Sequence, residues 1–395
     1  MFVRAEYKEV KSRLEEPRKF IQVIAGPRQV GKSTLVGQVL NGITQPYSSY
    51  SADDEANVNQ SWIADVWENV RNVMAVRGES EHLLVVDEIQ KIDNWSETVK
   101  AEWDRDTREG RNIKVLLLGS SRLLLKKGLT ESLAGRFEMI RMGHWSYREM
   151  HEAFGWTLDQ YIYFGGYPGT ASLIADETRW KRYVRDSLVE SAITKDVFST
   201  TTVYKPALLR RLFEIGCSYS GELLSLTKMM GQLQEKGNVT TLAGYLQVLD
   251  ECNLLAGLQK YSADNARRYA SVPKYQVYNN ALMNVYDYST FAEQRADLKR
   301  WGRLVESAVG SHLLNYADKL GYNVYYWRER NDEVDFVVVR NHRVWALEVK
   351  SGRRSMNNGL GLFRKAFNPY RSMIIGTGGI SIEEFLSADL DLFFR

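Results

Sequence analysis

Nine consecutive residues, Gly26-Pro27-Arg28-Gln29-Val30-Gly31-Lys32-Ser33-Thr34, have the types and spacing needed to hold a chain of phosphates. Gly26 and Gly31 let successive backbone N–H groups turn inward around β- and γ-phosphates, and the helix expected from Lys32 offers its positive dipole end. Lys32 would reach the terminal phosphates and the Ser33 hydroxyl would ligate Mg²⁺, so ATP and Mg²⁺ are the expected cofactors. The run directly follows the apolar stretch Phe20 to Ala25. That strand–loop–helix setting separates it from a chance glycine turn.

A second chemical feature closes the run His82-Leu83-Leu84-Val85-Val86-Asp87-Glu88. Its continuous apolar stretch fits a strand buried on both faces, and ligands in such sheets sit at the C-terminal strand edge. Asp87 would hold Mg²⁺ through a water, and Glu88 would orient and deprotonate an attacking water. The plainer alternative is a pair of acids capping the next helix. The segment resembles a Walker B motif. Lys114 to Leu118 reads as another buried strand, ending in Gly119-Ser120-Ser121, where Ser120 would contact the γ-phosphate or the attacking water. Asp53, Asp54 and Glu55 read as a solvated helix start.

The elements that must position these groups follow from periodicity. Arg4 to Arg18 carries Val10 and Leu14 at helical spacing and exits at Pro17. Leu35, Val36, Val39 and Leu40 make a helical apolar stripe stopped by Asn41-Gly42, Tyr47 to Ala52 alternates as a strand, and Trp62 to Val76 reads as an amphipathic helix. The 395 residues allow two or three domains, and 44% hydrophobic with 26% charged residues is ordinary globular composition. A net charge of +3 does not announce a nucleic-acid binder, so any basic surface must be local. Cys217 and Cys252 stand without a C-x-x-C or Cys/His cluster, which argues against disulfides or structural zinc. Met1 to Lys19 has no apolar signal core, and no stretch reaches a membrane span, so a cytoplasmic protein without membrane contact is expected.

In order, Gly26 to Lys32, Asp87-Glu88-Ile89-Gln90, Gly119 to Ser121 and Leu133-Ala134-Gly135-Arg136 resemble the motifs of bacterial and archaeal AAA+ ATPases. Many of those proteins carry Asn where Ser120-Ser121 stands, which is a departure. The resemblance implies that Arg136 stabilises, from a neighbouring subunit, the charge growing on the transferred phosphoryl group; a plain surface salt bridge is the alternative. It also implies a homo-oligomer such as a hexameric ring. Lys126 and Lys127 lie between Leu123-Leu124-Leu125 and the run Leu129 to Leu133.

Trp145 to Ser199 reads as helical and aromatic-rich, similar to the small lid that follows an AAA+ core, with Gly165-Gly166-Tyr167-Pro168-Gly169 as a hinge or packing corner. Pro206 to Gly216, Glu222 to Leu233 and Thr240 to Cys252 read as three helices. With the extended Leu254 to Tyr261 they would make a winged helix. Thr240, Thr241, Tyr245 and Gln247 would face outward on its recognition helix. That helix contains no Lys or Arg, so basic help would come from Lys236 and Arg267-Arg268, and protein packing weighs equally with DNA contact.

Near the C-terminus Trp301 to Leu320 reads as a helix bearing Glu306, followed by strands Asn323 to Trp327, Glu333 to Val339 and Val344 to Lys350. A turn centred between Asn341 and His342 places Asp335 opposite Glu348, their Cβ atoms about 5 Å apart, with Lys350 sharing the face. Opposed like charges need compensation, and a divalent cation is the expected one. Asp335, Glu348, Lys350 and the helical Glu306 resemble the PD-(D/E)XK nucleases, with Val334 where a proline is usual. The resemblance implies Mg²⁺ on Asp335 and Glu348 and a lysine aiding hydrolysis; a DNA-gripping relic and accidental spacing are the alternatives. Lys350, Arg353, Arg354, Arg364 and Lys365 supply a local basic patch.

The expected fold is α/β: an AAA+ P-loop core with a parallel sheet over 1–150, a helical lid over 151–203, a winged helix over 204–275 and an α/β nuclease-like domain over 276–395. The expected function is ATP hydrolysis coupled to binding or remodelling DNA. The alternative is a nucleotide-dependent switch or scaffold for protein partners.

Overall fold

Three of the apolar runs become strands covered on both faces. In the computed structural model, which describes residues 2–54, 58–120, 132–198, 203–233, 238–262, 271–352 and 358–395, β1 (Ile21–Ala25) is buried throughout. So are β3 (His82–Asp87) up to its last residue and β4 (Ile113–Gly119). Together with β2 (Tyr47–Ser51) and β5 (Phe137–Arg141) they form a five-stranded parallel sheet in the order β2-β3-β4-β1-β5. The Tyr- and Ser-rich β2 takes an edge, where it is largely exposed.

Side-chain alternation splits the core into two layers. Leu83, Val85, Leu116 and Leu118 point to α1 (Glu6–Glu15) and α2 (Lys32–Leu40), meeting Val10, Leu14, Leu35, Val36 and Val39. Leu84, Val86, Val115 and Leu117 point to α3 (Gln60–Arg77) and α4 (Trp95–Arg108), meeting Ile63, Trp67, Val99 and Trp103. Each fully buried aliphatic side chain contributes roughly 1.5–3 kcal/mol relative to exposure. One expectation is corrected here. Asp53 and Asp54 do not open a helix: Asp53 pairs with Lys91, and α3 starts later, where Asn59 Oδ1 accepts from Trp62 N at 3.1 Å.

The chain divides into two compact units, Met1–Met142 and Gly143–Arg395. In the second, helices α5 (Pro206–Ser218), α6 (Leu226–Gln232) and α7 (Val239–Glu251) pack with an antiparallel ribbon of β6 (Leu255–Leu258) and β7 (Lys274–Val277). Tyr245 does not face outward as expected; it is buried, with its hydroxyl accepting from Lys205 N at 3.0 Å. The reason is helical spacing: Leu242, Tyr245, Leu246 and Leu249 make one inward stripe. Gly165 and Gly166 form a close-packed corner, for a Cβ would lie 2.0 Å from Asn279 Oδ1 at the first and 2.1 Å from Trp145 O at the second.

The helix α8 (Leu298–Leu320) precedes a four-stranded sheet ordered β11-β10-β9-β8, with β8 (Asn323–Glu329), β9 (Asp332–Arg340), β10 (Arg343–Lys350) and β11 (Arg371–Gly376). Asn341 and His342 adopt φ of 49° and 66°, which gives a two-residue hairpin turn of the twist that suits β9 and β10. Register runs from Arg340 opposite Arg343 to Phe336 opposite Leu347, as the turn dictates. Helix α9 (Gly359–Phe367) carries the crossover to β11, which pairs parallel with β10.

Glu55, Ser121, Leu123 to Leu129 with Lys126 and Lys127, Lys236, Arg267, Arg268, Arg353 and Arg354 lie outside the described residues. Among the described residues no helix is long and apolar enough to cross a membrane.

Candidate functional site

The phosphate loop joins β1 to α2 at the C-terminal edge of the first sheet. Its two glycines are required for different reasons. Gly31 has φ of 89°, in the left-handed region, while a Cβ there would meet nothing within 4 Å. At Gly26 space is the constraint, because a Cβ would lie 2.3 Å from Met142 O. Between them, Lys32 Nζ donates to Gly26 O at 2.9 Å and Pro27 O at 2.8 Å, so the ammonium sits inside the curve of the loop.

Asp87 and Glu88 arrive from the end of β3. Ser33 Oγ donates to Asp87 Oδ2 at 2.7 Å, and Glu88 N donates to Asp87 Oδ1 at 2.8 Å, which fixes the Asp87 carboxylate in orientation. The chain then turns left-handed at Glu88, with φ of 52°. Its carboxylate is bonded by Gln90 Nε2 and lies 3.6 Å from Arg28 Nη2. Gln90 Nε2 also donates to Ser120 Oγ at 3.0 Å. Burial raises the Glu88 pKa above its ordinary value, opposed by Arg28 and Lys32 and reinforced by Asp87 and Asp53. Glu88 stands at the N-cap of the single 3₁₀ turn Ile89–Lys91 but makes no side-chain cap bond to it.

This donor set fits a magnesium-bound nucleoside triphosphate. Ser33 and Asp87 form one hydroxyl–carboxylate pair of the kind that holds Mg²⁺, Lys32 lines the phosphate cradle, and Glu88 stands next to Ser120 through Gln90. Pro27, Gln29, Val30 and Thr34 complete the loop; Gln29 takes φ of 62°, and Val30 O accepts from Arg4 Nη1 at 3.0 Å. Sequence reasoning missed Gln90 as the link between Glu88 and Ser120, although it lies only two residues beyond Glu88.

Arg136 is placed elsewhere. It precedes β5, whose Phe137 pairs with Ile21 at the start of β1, so it lies at the sheet edge opposite the phosphate loop. Its guanidinium forks onto Asp104, with Nε to Oδ1 at 2.8 Å and Nη2 to Oδ2 at 3.0 Å.

In the second unit the expected metal pair is organised differently. Lys274, absent from the sequence-based candidates, is fully buried. Its Nζ lies 2.7 Å from Glu306 Oε1 and 3.1 Å from Glu333 Oε1, and donates to Asp335 O at 3.2 Å. Asp335 Oδ1 is 3.9 Å away, and Asp335 Oδ2 accepts from Val349 N at 2.7 Å. A lysine ammonium therefore lies beside the acids for which Mg²⁺ on Asp335 and Glu348 was the expected compensating charge. With Lys274 in place, no group of three or more His, Cys, Asp or Glu among the described residues is arranged to hold a metal ion.

The irregularity of this strand lies on its β8 side, while the β9–β10 pairs keep the expected register. The β8–β9 register shifts between Tyr325 and Trp327, and Val334 and Val337 share one cluster with Trp327, Ala346 and Phe363. Desolvation raises Asp335 well above its ordinary value, with Glu306 and Glu348 adding to the effect and Lys274 opposing it. Burial pushes Glu348 up to about 7, offset in part by Lys350. Burial alone would lower Lys274, but Glu306, Asp335 and Glu333 reverse that and raise it.

Comparison with known proteins follows the same division. Residues 18–151 match the family model described as an AAA domain. Residues 155–291 and 301–383 match two domains of unknown function, DUF8612 and DUF4143. An uncharacterized protein of Mycobacterium tuberculosis is 27% identical over 349 residues, covering 86% of this chain and 73% of its own. An uncharacterized protein of Haemophilus influenzae is 21% identical over 360 residues, covering 84% and 82%. Among solved structures, a Walker-type ATPase of Pyrococcus abyssi aligns with a TM-score of 0.50 at 13% identity, over 72% of this chain and 95% of that one. With the sheet order and the loop geometry, these findings show a P-loop ATPase fold, with the AAA-domain match confined to residues 18–151.

Proposed function

We propose that this protein hydrolyses ATP by in-line attack of water on the γ-phosphate. The observation that carries the reading is the Ser33–Asp87 hydrogen bond set beside Lys32 and Glu88. Lys32 holds the phosphates, Ser33 and Asp87 would hold Mg²⁺, and Glu88 takes the proton of the attacking water. Bound Mg²⁺ would neutralise charge on the phosphate oxygens. Steady-state phosphate release should disappear in Glu88→Gln while nucleotide binding persists; unchanged turnover would remove Glu88 from the reaction.

The work coupled to hydrolysis is read as engagement of DNA by the lid, winged-helix and nuclease-like segments, by oligomers in which Arg136 acts between subunits. What supports it is the motif order Glu306, Asp335, Glu348, Lys350 on α8, β9 and β10, with Arg364 and Lys365 exposed on α9. Buried Lys274 among those acids favours gripping over cutting. A second reading, a nucleotide-driven switch for protein partners, is favoured by α7, which has no Lys or Arg and ends in Asp250-Glu251. Duplex, branched and single-stranded DNA distinguish the two: if none binds or changes ATP turnover, the switch reading stands and the DNA reading falls.

A further inference from the structure

The ribbon strand β7 has no solvent face. Tyr275 and Val277 are buried, and Gly216 on α5 lies against Tyr275 and Leu255, a Cβ there falling 3.2 Å from the Tyr275 ring. Lys274 and Gln276 alternate to the other side and meet α8, where Gln276 Nε2 donates to Ser307 O at 2.9 Å. The approach is close because Gly310 has no side chain; a Cβ there would lie 2.2 Å from Gln276 Oε1. Ser220 and Ser307 hydroxyls, 2.8 Å apart, continue this buried polar seam. Lys274 is thus delivered by the fold, with its stem in the seam and its ammonium at the carboxylates of α8 and β9.

An ammonium has three N–H donors. Here Glu333 Oε1 and Asp335 O accept at 3.1 and 3.2 Å, and Glu306 Oε1 completes the surround as an ion-pair partner at 2.7 Å. The Phe336 ring closes the site 5.1 Å from Nζ. Oxygen ligands converging from a helix and a strand on one buried positive charge are what a hard divalent cation would require. We propose that Lys274 is the resident cation of this site, standing where a divalent metal would sit among Glu306, Glu333 and Asp335, and that the protein therefore excludes Mg²⁺ and Mn²⁺ from it. A second cation cannot join without facing the buried ammonium at contact distance, and a metal can enter only where the lysine is removed.

The test is Mn²⁺ titration of the full chain without nucleotide, followed by electron paramagnetic resonance, in a Ser33→Ala background that silences the phosphate-loop metal position. With Lys274 present, no saturable site is expected. Lys274→Met should create one saturable Mn²⁺ site per chain and a thermal shift on adding Mn²⁺, both lost when Asp335→Asn is added. If Lys274→Met does not fold, Lys274→Gln, which keeps a polar neutral side chain against the same three acids, takes its place, and the same gain is expected. Saturable Mn²⁺ binding by the lysine-bearing protein that Asp335→Asn abolishes would overturn the proposal. So would a folded lysine-free variant that gains no site.

Discussion

Lys32 is held by two loop carbonyls at 2.9 and 2.8 Å, so its removal empties the centre of the cradle without cutting into either core layer. Lys32→Ala should lower ATP turnover on the order of 10²–10³-fold, as loss of one preorganised transition-state donor does, with the thermal midpoint nearly unchanged. Glu88 makes a pH prediction. Burial raises its pKa, and Arg28 is the first of the charges that oppose the rise. In the proposed reaction the ionised carboxylate is the base, so turnover should fall as pH drops through a pKa above the ordinary value of about 4.3 for glutamate. Arg28→Gln removes a lowering influence, so the acidic limb should move to higher pH. A pH–rate profile of both proteins checks the direction, and a limb that moves down refutes the contact. The sequence made Lys32, Ser33, Asp87 and Glu88 legible because their chemistry is set by local spacing. Arg28 and Gln90 as partners of Glu88 depend on the left-handed turn at Glu88, which no apolar pattern announces.

At the scale of elements, the hairpin and the ribbon differ in what could be read. The β9–β10 register follows from its turn alone, Asn341 and His342 both tolerating positive φ, and the observed pairs agree to Phe336 and Leu347. The fate of the acids beyond that point depended on a strand far away in sequence. Lys274-Tyr275-Gln276-Val277 alternates polar and apolar residues like a half-exposed strand, yet its polar side is buried against α8. Charge grounds alone pointed to a cation beside the carboxylates, and the Lys274 ammonium that lies there comes from this distant strand. Gly310→Ala tests this seam: the added Cβ meets Gln276 Oε1 at 2.2 Å and the Phe336 ring at 2.7 Å, and overpacking of this kind costs about 1–3 kcal/mol. A lower denaturation midpoint for the transition of the second unit is expected, with ATP turnover by the first unit retained. An unchanged midpoint would mean that the seam gives way freely.

For the whole molecule, the question is whether one chain contains a complete reaction centre. Arg136 enters β5 beside Ile21, whereas the phosphate loop leaves β1 after Ala25. Four strand residues separate those levels, roughly 13 Å at 3.3 Å per residue, which is beyond an arginine's reach within one chain. Its bond to Asp104 is partly exposed, with both side chains near one-third accessible, and such pairs are worth under about 1 kcal/mol. In the proposed oligomer the guanidinium would exchange that carboxylate for a γ-phosphate on a neighbouring copy at little cost. Complementation makes the idea decisive. Arg136→Ala keeps a working phosphate loop and lacks the finger, while Lys32→Ala keeps the finger and lacks the loop. Each alone should hydrolyse ATP at least about 10²-fold more slowly than the parent protein. Mixing them should restore turnover in proportion to mixed contacts, with a maximum near equal amounts. If Arg136 serves only its ion pair with Asp104, Arg136→Ala and Asp104→Asn will both leave turnover intact, and mixing will change nothing.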